Sequence, residues 1–206
     1  MSYKSLVHYG DNLLNALKSI ENSKINLLCE EISKKVNGLG EIFLIGNGGS
    51  AANAHHIAGD YSKTFSLLGQ CLKISCLSDN GCFLTAAAND TDFSEIYEIL
   101  VGSRITKNDL LIFFSGSGNS INLIKAARKA KKLGIQTSAL VGYTGGALKE
   151  IVDIPIHFYV DDMEIAEDCQ ISIFHYIKQK IFEKIYNPEN EKINKYSKRT
   201  REDLIA

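Results

Sequence analysis

Apolar positions along this chain keep two different rhythms. Up to about residue 36 they recur at helical spacing, as Leu6, Leu13/Leu14, Leu17, Ile20, Leu27/Leu28 and Ile32, with Ser23 placed as a cap between two helical segments. From there the pattern changes to short apolar runs, which predict strands over 41–45, 73–77, 110–114, 137–141 and 154–160. Helix-type spacing fills the gaps: a helix over 51–64, shorter turns over 81–88 and 93–101, a helix over 121–133, a short one over 147–151 and a long amphipathic one over 163–186. Strands with little polar alternation, separated by helices, predict a parallel sheet covered on both faces. Right-handed crossovers then make the chain a doubly wound α/β sandwich with a five-stranded parallel sheet.

The length of 206 residues suits one such domain. The expected division is a helical segment over 1–36, the α/β domain over 37–186 and a polar tail over 187–206. The tail mixes Lys192, Lys195, Lys198, Arg199 and Arg201 with Glu189, Glu191, Glu202 and Asp203, so it is not a basic arm. A frayed end and a helix packed on a partner subunit both fit it. A net charge of -1 supplies no general pull toward nucleic acid or an anionic membrane. No run reaches the roughly 18 apolar residues of a membrane span, and the first residues lack a signal-peptide pattern. The five cysteines are odd in number and form no C-x-x-C pair, which predicts reduced thiols in a cytoplasmic protein.

Chemistry concentrates where strands meet helices. Ser115-Gly116-Ser117-Gly118-Asn119-Ser120 stands between an apolar strand and a helix, the arrangement that holds a phosphate. Glycines admit close backbone N–H groups, serines add O–H donors, and the helix N-terminus adds partial positive charge. The loop has no lysine or arginine, which points to a small metabolite's phosphate. A second loop, Gly46-Asn47-Gly48-Gly49-Ser50-Ala51, matches the dinucleotide pattern G-x-G-x-x-A. A dinucleotide site wants an acidic residue about 20 positions on, and Asp79 comes too late. A Walker loop is excluded, because no Gly-Lys-Ser/Thr occurs. In a parallel sheet both loops fall on the same carboxyl edge.

GNGGSAANAHHIA at 46–58 and SGSGNS at 115–120, with AAND at 87–90 and the final helix through Phe174-His175-Tyr176-Ile177, resemble the sugar isomerase (SIS) family. Within it the similarity is to the phosphoheptose isomerases, over roughly residues 35–186. The resemblance implies a flavodoxin-like sheet and an aldose–ketose isomerase. Sedoheptulose 7-phosphate and D-glycero-D-manno-heptose 7-phosphate are the expected pair. It implies substrate contacts at Gly48, Gly49, Ser50, Asp60, Asn89, Asp90, Ser115, Gly116, Ser117, Ser120 and Glu167. Taken without the resemblance, Asn89-Asp90 equally suits a turn or a helix cap.

His56 and Asp60 are four apart and share a helix face, which suits either a surface pair or the start of a metal site. The resemblance implies one zinc ion per subunit, held by His56, Asp60, Glu167 and His175. Asp60 stands where the family has glutamate, and Glu167 where it has glutamine. Glu167 and His175 are eight residues apart, about 12 Å of helix rise, and Asp168 is the rival for Glu167 on that face. Asp60 is the candidate base for the carbon-bound proton, and His175 the candidate acid serving the oxygens. His55 is expected to point away from His56. Two more departures concern the substrate: Gly116 replaces a frequent threonine, and Lys63-Thr64 occupies the region of a substrate-contacting arginine. The departures at Asp60, Gly116, Thr64 and Glu167 together leave open an isomerase of another sugar phosphate, such as a pentose or hexulose phosphate. A non-catalytic SIS protein, sensing a phosphosugar or binding a replication initiator, is the alternative from another class. The long helices at both ends exceed what one sheet can cover, so their apolar faces are expected to pack on other subunits, and the resemblance implies a homotetramer with active sites at subunit junctions.

Overall fold

The structure is a computed structural model that describes residues 3–185. The polar tail at 187–206 lies outside the described residues. Two helices, α1 (Leu6–Lys18) and α2 (Asn22–Lys35), come first. The break between them falls at Ser19–Glu21, and Ser23 lies inside α2 rather than capping it. Ser5 is the hydroxyl that caps: its Oγ accepts the His8 N–H at 3.1 Å. A Ser at the true N-cap relieves an orphan donor, whereas Ser23 lies among N–H groups already past the start of its helix.

Five parallel strands follow, β1 (Ile42–Gly46), β2 (Ile74–Cys76), β3 (Leu110–Ser115), β4 (Gln136–Val141) and β5 (Ile154–His157), in the spatial order β2-β1-β3-β4-β5. Between and after them run α3 (Gly48–Leu67), α4 (Gly81–Asp90), α5 (Ile96–Arg104), α6 (Ile121–Lys132), α7 (Gly146–Ile151) and α8 (Met163–Ile185). Every residue of β1 and β3 is buried. Their side chains nevertheless alternate between two cores, as a pleated strand requires. Ile42, Leu44, Leu110, Ile112 and Phe114 pack with α2, α3 and α8. Phe43, Ile45, Leu111 and Phe113 pack with α5, α6 and Leu148 of α7.

Strand order reverses between β1 and β3, which pair in register from Ile42↔Leu110 to Gly46↔Phe114. Two strand-to-helix loops therefore open side by side at the carboxyl edge, where ligands of such sheets bind. α8 closes that edge from the α3 side. Tyr61 on α3 donates its buried hydroxyl to the Phe174 carbonyl at 2.7 Å. The N-terminal segment straps this end of the chain in turn: Tyr9 of α1 donates to Asp168 of α8, and Tyr3, ahead of α1, donates to Asp162, just before α8, each at 2.6 Å.

The inner faces of α1, α2 and α8 thus pack on this chain's own core. What α1 leaves exposed is Leu6, Val7 and Leu14. Among the described residues, no helix is long and apolar enough to cross a membrane.

Candidate active site

The loop after β3 is held open by its own backbone. Ser115 Oγ accepts the Gly118 N–H at 3.1 Å, and Ser117 Oγ accepts the Asn119 N–H at 3.2 Å. Gly118 has φ +66°, and a Cβ there would lie 2.0 Å from the Gly145 carbonyl oxygen, so only glycine fits. Ser120 is the N-cap of α6 and makes no side-chain capping bond, while the Leu123 N–H in the first turn is taken by Asn122 Oδ1 at 2.9 Å. A Cβ on Gly116 would lie 2.3 Å from Met163 Sδ. The methionine at the start of α8 fills the space that a larger residue at 116 would use.

The loop after β1 opens α3 at Gly48. Asn47 and Asn122 exchange amide hydrogen bonds, each at 2.9 Å, which ties this loop to the first turn of α6. Ser50 is buried and accepts Gln170 Nε2 at 3.2 Å, while Asn53 donates to the Glu167 carbonyl and to Gln170 Oε1. These amides lock α8 across the start of α3. Glu167 is placed by that lock: its carboxylate occupies the space where a Gly49 side chain would stand, and the Ser50 N–H bonds it. Burial, with Glu164 beside it, pushes the Glu167 carboxyl above its ordinary value, against that N–H bond.

Farther along α3 a different cluster forms. His56, Asp60 and His175 bring their ligand atoms within 4.8 Å of one another. The two Nε2 atoms face at 3.0 Å, and the rings meet edge to face. Burial, then Lys178 and His56, hold His175 below the usual imidazole value, against the pull of Asp60. Burial pushes Asp60 upward, but hydrogen bonds from Lys178 and Lys63 outweigh it and leave the carboxyl below its usual range. Lys63 reaches Oδ1 at 3.0 Å, and Lys178 contacts Oδ2.

A neutral imidazole and an ionised carboxylate are the forms that bind a metal, and two facing ring nitrogens with one carboxylate oxygen form a sound donor set for zinc. The residues present therefore fit such an ion. Three of the four residues expected around it come together, while Glu167 sits at Gly49, outside the group. Asp168, its rival, is engaged by Tyr9. His55 points away, its Nδ1 at 2.8 Å from the Ala51 carbonyl of its own helix. Asn89 and Asp90 end α4 in solvent, Asn89 donating to Asp90 at 3.0 Å. Thr64 is buried, and its Oγ1 has no partner among the described residues.

Sequence reasoning did not single out Lys178, Gln170, Asn53 or Asn122. Lys178 had a signal, since it follows His175 by three on one helix. The two asparagines and Gln170 had none, because their partners are on other elements.

A parallel sheet whose order reverses between two Gly/Ser loops, with a helix bearing a histidine packed across the first, is a doubly wound domain built to bind a ligand at its carboxyl edge. The sequence model of the SIS domain matches residues 7–142, and the chain belongs to that family. Relatives include the phosphoheptose isomerase of Helicobacter pylori strain Shi470, 35% identical over 162 residues, covering 79% of this chain and 82% of the relative. That of Chlorobaculum parvum is 33% identical over 172 residues, with 82% of each chain covered. Among solved structures, a phosphoheptose isomerase from Francisella tularensis superposes with a TM-score of 0.79 at 23% identity, over 85% of this chain and 95% of the other. At that identity the superposition speaks for the fold.

Proposed function

We propose that the chain is an aldose–ketose isomerase that interconverts sedoheptulose 7-phosphate and D-glycero-D-manno-heptose 7-phosphate. The convergence of His56, Asp60 and His175 from α3, the helix that opens at the first Gly/Ser loop, and from α8 carries this reading. The curated relatives that share most of the chain's length support it. A non-catalytic SIS protein has no need of that group.

In the proposed mechanism, Ser117, Ser120 and the α6 amides anchor the phosphate, with Ser115 shaping the loop from below. Gly48, Gly49 and Ser50 line the neighbouring cradle, and Glu167 meets a substrate hydroxyl there. Asn89 and Asp90 are the proposed contacts to the rest of the sugar. Fixing the phosphate end holds C1 and C2 near the helix pair, which turns remote binding into positioning. Asp60 takes the proton from one of these carbons, leaving an enediolate, and returns it to the other. His175 moves a proton between the two oxygens, so the aldose and ketose differ only in where hydrogens sit. His56, Asp60 and His175 would hold a zinc ion, which when bound stabilises negative charge on oxygen.

The assembly proposed is a cytoplasmic homotetramer, with the helical segment 1–36 serving subunit contacts beside the α/β domain. Incubating the protein with sedoheptulose 7-phosphate, with and without chelator, and following aldose formation tests the reading. Chelator-sensitive aldose formation is expected; no conversion in zinc-loaded protein would sink it. Met163 against Gly116, and Thr64 in the region of the family's arginine, favour a second reading, an isomerase of a differently sized sugar phosphate. Conversion of a pentose or hexulose phosphate, but not the heptulose, would select it.

A further inference from the structure

We propose that Lys178 is the resident counter-ion of Asp60, and that a divalent cation binds between His56 and His175 only by displacing it. Lys178 then sets how tightly this site holds metal. The inference rests on reading the His56–Asp60–His175 group as a metal site.

Lys178 and His175 leave α8 on the same face, three residues apart, so the helix that supplies one ligand also supplies the competitor. The Lys178 ammonium contacts Oδ2 of Asp60 where the two side chains are only 18% and 11% exposed. Lys63 holds Oδ1, but its side chain is 59% exposed and solvent screens it. Of the three ligand residues, Asp60 alone brings a negative charge, and His56 and His175 bring none when neutral. With the Lys178 ammonium in place, the charge of Asp60 is already offset before any metal arrives. An incoming dication therefore meets repulsion and a carboxylate whose lone pairs are already engaged. Glu167, which would restore negative charge, lies at Gly49 instead. A lysine in this place separates metal capture from simple ligand geometry: the donors converge, yet an ion binds only as the ammonium swings out on its flexible stem.

The test is zinc affinity of the metal-free full chain, measured by competition with a chromophoric chelator. The variants are Lys178→Met, which keeps most of the apolar stem, Lys63→Met and His56→Ala. Lys178→Met should bind zinc roughly ten- to a hundredfold tighter, the scale of one charged hydrogen bond. Lys63→Met should gain no more than about fivefold, and His56→Ala should lose the site. Thermal unfolding gives a second readout. In chelator Lys178→Met should melt below wild type, and zinc should raise its midpoint by more. Should Lys178→Met prove insoluble, Lys178→Gln serves the same comparison. Zinc binding that depends on His56 but is equal or weaker in the Lys178 variant overturns this proposal and leaves the metal reading standing. No His56-dependent binding in any variant overturns both.

Discussion

At the scale of single residues, Asp60 carries the heaviest set of demands. Two lysines hold its carboxyl below the ordinary range, so folding favours the ionised form. The stability from that pairing is complete above about pH 4, the unfolded carboxyl's value, and fades as pH falls through the lower folded value. Asp60→Asn should therefore be less stable than wild type at pH 7, with the gap closing in stronger acid. Urea midpoints across that pH range measure it, and a gap that widens on acidification contradicts the pairing. The same variant should lose turnover while still binding inorganic phosphate, and near-normal activity removes Asp60 as the base. Thr64 gives the opposite kind of prediction. Its buried hydroxyl has no partner, so Thr64→Val should be neutral or raise stability by about 1 kcal/mol. A loss of stability in thermal melts would mean that the hydroxyl is bonded after all. His56, Asp60 and His175 were legible in the sequence, two by spacing and the third by resemblance. Lys178 was not, because its meeting with Asp60 depends on how α3 and α8 pack, which periodicity does not encode.

At the scale of elements, the two cradles depend on cross-links that join one loop to the next. Asn122→Ala strands the Asn47 amide and should cost about 1–3 kcal/mol in stability, with weaker phosphate affinity. Asn122→Asp tests whether a donor is needed: it keeps the acceptor for Asn47 Nδ2 and removes the donor to Asn47 Oδ1. An unchanged unfolding midpoint in Asn122→Ala would show that the amide pair contributes nothing. Gly118→Ala should be worse, since it adds a left-handed backbone strain to an overlap with the Gly145 carbonyl, and activity should fall with folding yield. All five strands were legible because buried parallel strands are continuous apolar runs between turn residues, and Leu110–Phe114 reads this way without help. The ends were less legible. α3 starts at Gly48, because a helix N-terminus tolerates glycines that propensity alone assigns to a turn. Glu167 shows a similar limit. The rise of a helix excluded an easy meeting with His175, but not where its carboxylate would settle instead.

At the scale of the whole molecule, the sequence pattern implied more apolar helix than a single sheet covers, and the structure divides that surplus. Most of α1, α2 and α8 turns inward, while Leu6 (84% exposed) and Val7 (73%) face out near the start of α1. Replacing Leu6, Val7 and Leu14 together with serine should shift the proposed homotetramer to smaller species in light scattering, with the helical signal retained. An unchanged mass would place the subunit contacts elsewhere. The joining of His56 to His175 spans 119 residues of chain, and the second partner sits on the last helix described. Order of synthesis then becomes a safeguard. A ribosome has finished every described strand, and His56 and Asp60 with them, before it makes α8, so a chain halted at that stage holds two of the three grouped residues without the third. Under the proposed mechanism, prematurely terminated copies would lack the group that serves the sugar's oxygens, and isomerisation would begin only in chains translated through His175.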